Sequence, residues 1–178
     1  MQINLTKNRL TQDQILVPFR FILKHFEMNN IRVTKIFNFE TAHALFGYEG
    51  KCKNIHGHSY KLCVTILGQP IIEKNHPELG MVLDFGDLKK IVNRTIVDRL
   101  DHAILLNENT EHKVLGMHLS KQGHKVIFTD YQPTCENMLI DFAQKLQKEL
   151  PENISLVKLK LFETENSYGE WIASDNIQ

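Results

Sequence analysis

From Val157 to Glu163 the stretch V-K-L-K-L-F-E sets Val157, Leu159 and Leu161 against Lys158 and Lys160. A period of two is the signature of a strand with one dry face and one wet face, and no helix sustains it. A chain carrying it must build a sheet and cover one side. I-R-V-T-K-I-F-N-F (31–39) and S-Y-K-L-C-V-T-I-L (59–67) read as further strands, rich in β-branched and aromatic residues. M-V-L-D-F (81–85), K-V-I-F-T (125–129) and S-Y-G-E-W-I-A (167–173) read as short ones. After Gly86 the period changes. Leu88, Ile91, Val92, Thr95 and Ile96 fall along one helical stripe to about Leu100, with Asp87 as N-cap. Thr134 opens a second helix, whose Met138, Leu139, Phe142, Ala143, Leu146 and Leu150 recur at three-to-four spacing, and Pro151 stops it. This order predicts an α+β fold, an antiparallel sheet with helices on one side.

The rest of the chain bounds the organisation. Residues 31–178 read as a single domain. Residues 1–30 read as an N-terminal extension, with a short amphipathic helix broken near Pro18, 107–124 as a long polar loop or insertion, and 108–130 as an insertion relative to compact members of such a fold. Lys+Arg and Asp+Glu both total 21, so there is no basic excess for a nucleic-acid or anionic-membrane surface. Three cysteines (Cys52, Cys63, Cys135) do not make a disulfide framework, and the expected compartment is a reducing cytoplasm. No apolar run approaches the roughly 18 to 20 residues a membrane helix needs, and the first residues lack the pattern of a secretory signal.

Candidate chemistry gathers in C-K-N-I-H-G-H-S-Y (52–60). His56 and His58, two apart on a strand, point to the same face. His43 lies at the end of the first strand and completes a three-nitrogen site if those strands pair. An all-imidazole set in a reducing compartment suits zinc. Cys52 admits two readings: a fourth ligand that closes the site, or a free thiol whose flanking Lys51 and Lys53 favour the thiolate. Cys63, inside its strand, reads as a small hydrophobe. Asp101 and His102 are either a proton-relay dyad or a helix-end histidine facing the dipole. Glu163 continues the apolar phase of its strand, so its carboxylate needs donors there. A flat heterocycle with paired N–H groups would supply them, as would a neighbouring lysine.

Six stretches in order, F-E-T-A-H (39–43), K-C-K-N-I-H-G-H-S-Y (51–60), G-M-V-L-D-F (80–85), L-D-H-A-I-L-L-N (100–107), P-T-C-E-N (133–137) and F-E-T (162–164), resemble the 6-pyruvoyl- and 6-carboxy-tetrahydropterin synthase family. The resemblance implies the tunnelling fold, a four-stranded antiparallel sheet with two helices on one face. It implies His43, His56 and His58 as zinc ligands, Cys52 as an uncoordinated catalytic base, and Asp101 and His102 as a relay. It makes Glu163 the pterin anchor and puts Thr164, Thr134 and Glu136 in the pterin pocket. Active sites would form between subunits of a homohexamer. The three-residue spacer between Cys52 and His56 resembles the bacterial carboxy type. That type acts on 7,8-dihydroneopterin triphosphate in 7-deazaguanine (queuosine) biosynthesis and releases 6-carboxy-tetrahydropterin, acetaldehyde and triphosphate. The alternative is the pyruvoyl type, which releases only triphosphate.

Overall fold

The computed structural model describes residues 29–176. The helix expected near Pro18, and all but the last two residues of the expected extension, lie outside them. The principal elements are β1 (Ile31–His43), β2 (His56–Gly68), α1 (Phe85–Val92), β3 (Ala103–Asn107), α2 (His112–Lys121), β4 (Val126–Thr129), α3 (Cys135–Glu149), β5 (Ser155–Thr164) and β6 (Ser167–Ile172). Helix α1 continues through one π-helical turn (Asn93–Val97) into a last turn at Asp98–Leu100. Among the described residues no helix is long and apolar enough to cross a membrane.

The strands form one sheet in the order β4-β3-β1-β2-β5-β6. Antiparallel pairing joins β1 to β2, β2 to β5 and β5 to β6, which is the four-stranded ladder the sequence predicts. The expectation of four strands is corrected to six: β3 lies parallel to β1, and β4 parallel to β3. A-I-L-L-N is buried over its first four residues and shows no alternation, because both of its faces are covered. That also hides it from a search for period two.

One face of the sheet carries Phe37, Phe39, Tyr60, Leu62, Val64, Leu159 and Leu161, and α1 and α3 cover it. Leu88, Val92 and Ile96 of α1, and Met138, Phe142 and Leu146 of α3, recur every fourth residue and lie in this core. Phe39 stacks on Tyr60 at 5.4 Å and meets Phe142 edge-on at 6.4 Å. Burial of each such side chain contributes roughly 1.5 to 3 kcal/mol. The core therefore holds rigid the strand ends that carry the histidines.

Other expectations give way for local reasons. Helix α2 occupies the stretch read as a loop. Its Leu119 packs with Ala42, Ala44, Ile104 and Leu106 on the opposite sheet face, and Gly116 lets it lie against Phe128 and Leu106. Val114 and Met117 point outward, so its sequence shows little amphipathic pattern. M-V-L-D-F is not a strand: Asp84, rather than Asp87, caps α1, its carboxylate accepting from Gly86 N at 2.6 Å. Asp87 instead pairs with Lys90. Val157 leaves the buried phase because the register shifts opposite Thr65 and Ile66, and Leu156 takes its place. The Thr134 cap is present: its hydroxyl accepts from Asn137 N.

Candidate active site

His43 and His56 are register partners at the open end of the β1–β2 ladder, and His58 follows on the same face. Their ring centroids lie 4.5 to 5.2 Å apart. Gly57 permits this without being required by it, since a Cβ there would meet only an ordinary contact with Thr41 O at 3.4 Å.

The hydrogen bonds assign the tautomers. His43 Nδ1 lies 2.6 Å from Pro133 O, and His56 Nδ1 lies 2.9 Å from Asn54 O. A carbonyl only accepts, so both Nδ1 atoms carry the hydrogen and both neutral rings present a bare Nε2. Those two nitrogens face one another at 3.1 Å. Two lone pairs at that distance repel unless a cation stands between them. His58 Nε2 is buried with no hydrogen-bond partner, an unusual and costly state for a polar atom. Burial lowers the proton affinity of His43 and His58 below the ordinary imidazole value, which favours their neutral, lone-pair-bearing forms. The three ligand nitrogens lie within 4.8 Å of one another. Neutral, convergent and desolvated, they fit a metal ion and have little other use.

Glu163 projects from β5 into the same place. Its Oε1 is 3.6 Å from His43 Nε2 and 3.7 Å from His58 Nε2, and it accepts from Tyr60 Oη at 3.0 Å. The lysine partner that the sequence left as an alternative is not what holds it. Tyr60 is 1 % exposed, and burial, with Glu163 beside it, suppresses ionisation of its phenol, so it serves as a fixed donor. Cys135, at the start of α3, donates to Leu161 O, and burial pushes its thiol up to about 11. It is not the reactive cysteine.

Cys52 sits half-buried in a short 3-10 turn (Lys51–Lys53), which the hydrogen bond from Leu45 N to Cys52 O (2.9 Å) ties to the end of β1. Its thiol is outside the ligand cluster.

Asp101 and His102 do form a pair, Asp101 Oδ2 to His102 Nδ1 at 3.0 Å, directly after α1. Glu40 N donates to Asp101 Oδ1 at 2.9 Å, and this bond, with His102, holds the carboxyl below the usual range. Glu40 O accepts from His102 N at 2.6 Å. His102 takes φ +57°, a left-handed conformation costing a non-glycine residue about 1 to 3 kcal/mol. His102 lines a cavity of about 560 Å³ with Glu40, Ala42, Ser59 and Leu119, and His58 also borders it. Among the described residues no hydrogen bond or ion pair joins the Asp101–His102 pair to the histidine cluster. Of the remaining expected site residues, Thr134 spends its hydroxyl on the α3 cap, Glu136 is exposed, and Thr164 bonds Asn166 in the β5–β6 turn.

Sequence reasoning missed Tyr60 and Pro133. Both stand inside the quoted motifs, but a phenol beneath a carboxylate and a carbonyl behind an imidazole leave no periodic signal.

Residues 32–172 match the family model described as 6-pyruvoyl tetrahydropterin synthase. The chain is 35% identical over 141 residues to a 6-carboxy-5,6,7,8-tetrahydropterin synthase of Haemophilus influenzae, covering 79% of this chain and 97% of that one. It is 36% identical over 120 residues to the human 6-pyruvoyl tetrahydrobiopterin synthase, covering 66% of this chain and 68% of that one. Among solved structures it superposes on the Caenorhabditis elegans 6-pyruvoyl tetrahydropterin synthase with a TM-score of 0.58 and 25% identity, over 82% of this chain and 96% of that one.

Proposed function

The chain belongs to the 6-pyruvoyl tetrahydropterin synthase family, and from that premise we propose that it is a 6-carboxy-5,6,7,8-tetrahydropterin synthase. On this reading it converts 7,8-dihydroneopterin triphosphate and water to 6-carboxy-tetrahydropterin, acetaldehyde and triphosphate, a lyase step of queuosine biosynthesis. One observation carries the choice of product: the match spans 97% of the carboxy-forming relative and only 68% of the human pyruvoyl-forming one. The three-residue spacer from Cys52 to His56 agrees with it.

We take the ion to be zinc, held by Nε2 of His43, His56 and His58. When bound, it supplies a Lewis acid toward oxygens of the substrate side chain. The carbonyls of Pro133 and Asn54 keep the His43 and His56 rings aimed. The Glu163 carboxylate accepts the paired N–H edge of the pterin, and the Tyr60 hydroxyl fixes its orientation. Thr164, Thr134 and Glu136 are read, from the family resemblance alone, as further residues of that pocket. The Cys52 thiolate removes a proton from the side-chain carbon. His102, oriented by Asp101, carries protons to and from the side-chain oxygens. Because no hydrogen bond or ion pair among the described residues joins the dyad to the histidines, the working site is read as shared between subunits of a homohexamer.

The test is product analysis by mass, with zinc-loaded protein and 7,8-dihydroneopterin triphosphate. Acetaldehyde and 6-carboxy-tetrahydropterin in equal amounts are expected. Triphosphate without acetaldehyde would assign the pyruvoyl reaction instead, and no turnover with zinc bound would overturn both.

A further inference from the structure

The turn that carries Asp101 and His102 poses a mechanical problem. It ends α1, whose last carbonyls point into it. It forces His102 into a left-handed backbone, and the His102 side chain is 77 % exposed. Three contacts from β1 hold one side of it: Glu40 N to Asp101 Oδ1, His102 N to Glu40 O, and Thr41 Oγ1 to Leu100 O at 2.6 Å. The other side is held from the segment that leads into β4. Lys125 Nζ donates to Asp98 O at 2.9 Å and to Asp101 O at 2.8 Å. Its own backbone is anchored by the bond from Ile104 N to Lys125 O, at the start of the parallel β3–β4 pair.

We propose that Lys125 is a positioning residue for the Asp101–His102 dyad, and that the α2–β4 unit serves to deliver its ammonium there. Two carbonyl oxygens at the negative end of a helix suit a cation with several donors. A neutral side chain of the same length satisfies neither. The charged and titratable groups around the turn include Glu40, His58, Asp98, Arg99, Asp101, His102, His124 and Lys125. Lys125 alone among them bonds both the helix end and the dyad's own backbone. The ammonium is exposed, so it acts through these two hydrogen bonds and not as a buried charge. A relay imidazole displaced by about 1 Å loses up to roughly 100-fold in rate, while substrate affinity is set elsewhere.

This inference rests on the reading of His102 as the proton relay, and the experiment separates the two. Lys125→Met, Lys125→Arg and His102→Gln are assayed on zinc-loaded, full-length protein, with zinc content and Tm measured alongside. Lys125→Met should lower kcat about 10- to 100-fold with KM and zinc content within about twofold of wild type. Lys125→Arg, which also offers several donors, should recover most of the loss. If His102→Gln is inactive and Lys125→Met keeps wild-type kcat, the positioning role is wrong. A parallel fall in zinc content and Tm for Met and Arg alike would make the contact merely structural and also overturn it. If His102→Gln retains full turnover, the relay reading itself fails.

Discussion

Removal of the metal should destabilise the fold by an amount that can be set in advance. Without a cation, the bare Nε2 atoms of His43 and His56 face each other at 3.1 Å, and His58 Nε2 is buried without a partner. Zinc at about a thousandfold excess over its Kd stabilises by about 4.1 kcal/mol through mass action alone. In a chain of 178 residues, each kcal/mol moves Tm by about 2 to 4 °C. The metal-loaded protein should therefore melt about 8 to 16 °C above the chelator-treated one. His56→Ala removes one ligand's share of the roughly 10 to 16 kcal/mol of a four-ligand structural site, about 2.5 to 4 kcal/mol. That is about two to three decades in Kd, enough to erase most of the increment. The assay is differential scanning calorimetry of both proteins at pH 7, with zinc and with chelator. The metal-free protein has its own pH dependence. Burial holds His43 and His58 below the ordinary value of 6.5. As pH falls below that value the unfolded chain takes up protons that the folded one refuses, so stability is full above it and declines below. A wild-type Tm indifferent to zinc, or an undiminished increment in His56→Ala, would refute the assignment of these nitrogens as the ligand set.

Three further outcomes are expected. Cys52→Ala should keep zinc at full occupancy and lose turnover, and the cobalt-exchanged wild type should lack a thiolate charge-transfer band; metal loss on substitution would make the thiol a ligand. Glu163→Gln should weaken pterin binding by about 1.5 to 3 kcal/mol, the range for a hydrogen bond to a charged group, and unchanged affinity by calorimetric titration would remove it as the anchor. Gly169→Ala places a methyl 2.8 Å from Leu139 Cδ1 and 3.2 Å from Cys135 Sγ. This overpacking should cost about 1 to 3 kcal/mol in denaturant unfolding, and a neutral result would show that the Leu139 side chain yields freely.

The sequence by itself determined whatever depends on period and on near neighbours. Alternation placed β1, β2, β5 and β6, helical spacing placed α3 and most of α1, and a spacing of two put His56 and His58 on one face. Strand pairing then brought His43 opposite His56, since a ladder fixes which residues meet once its ends are known. Tertiary structure decided the rest, because those features are contacts between distant segments with no local signature. β3 is buried on both faces and does not alternate, and although K-V-I-F-T reads as a strand, its parallel pairing with β3, and that of β3 with β1, spans intervening helices and leaves no local mark. The inward aim of the His43 ring comes from a carbonyl ninety residues away, at Pro133. The donor for Glu163 is a phenol on another strand, and the turn holding His102 is braced by β1 on one side and by Lys125 on the other. A sequence shows which residues can do chemistry; only packing sets the hydrogen bonds that aim them.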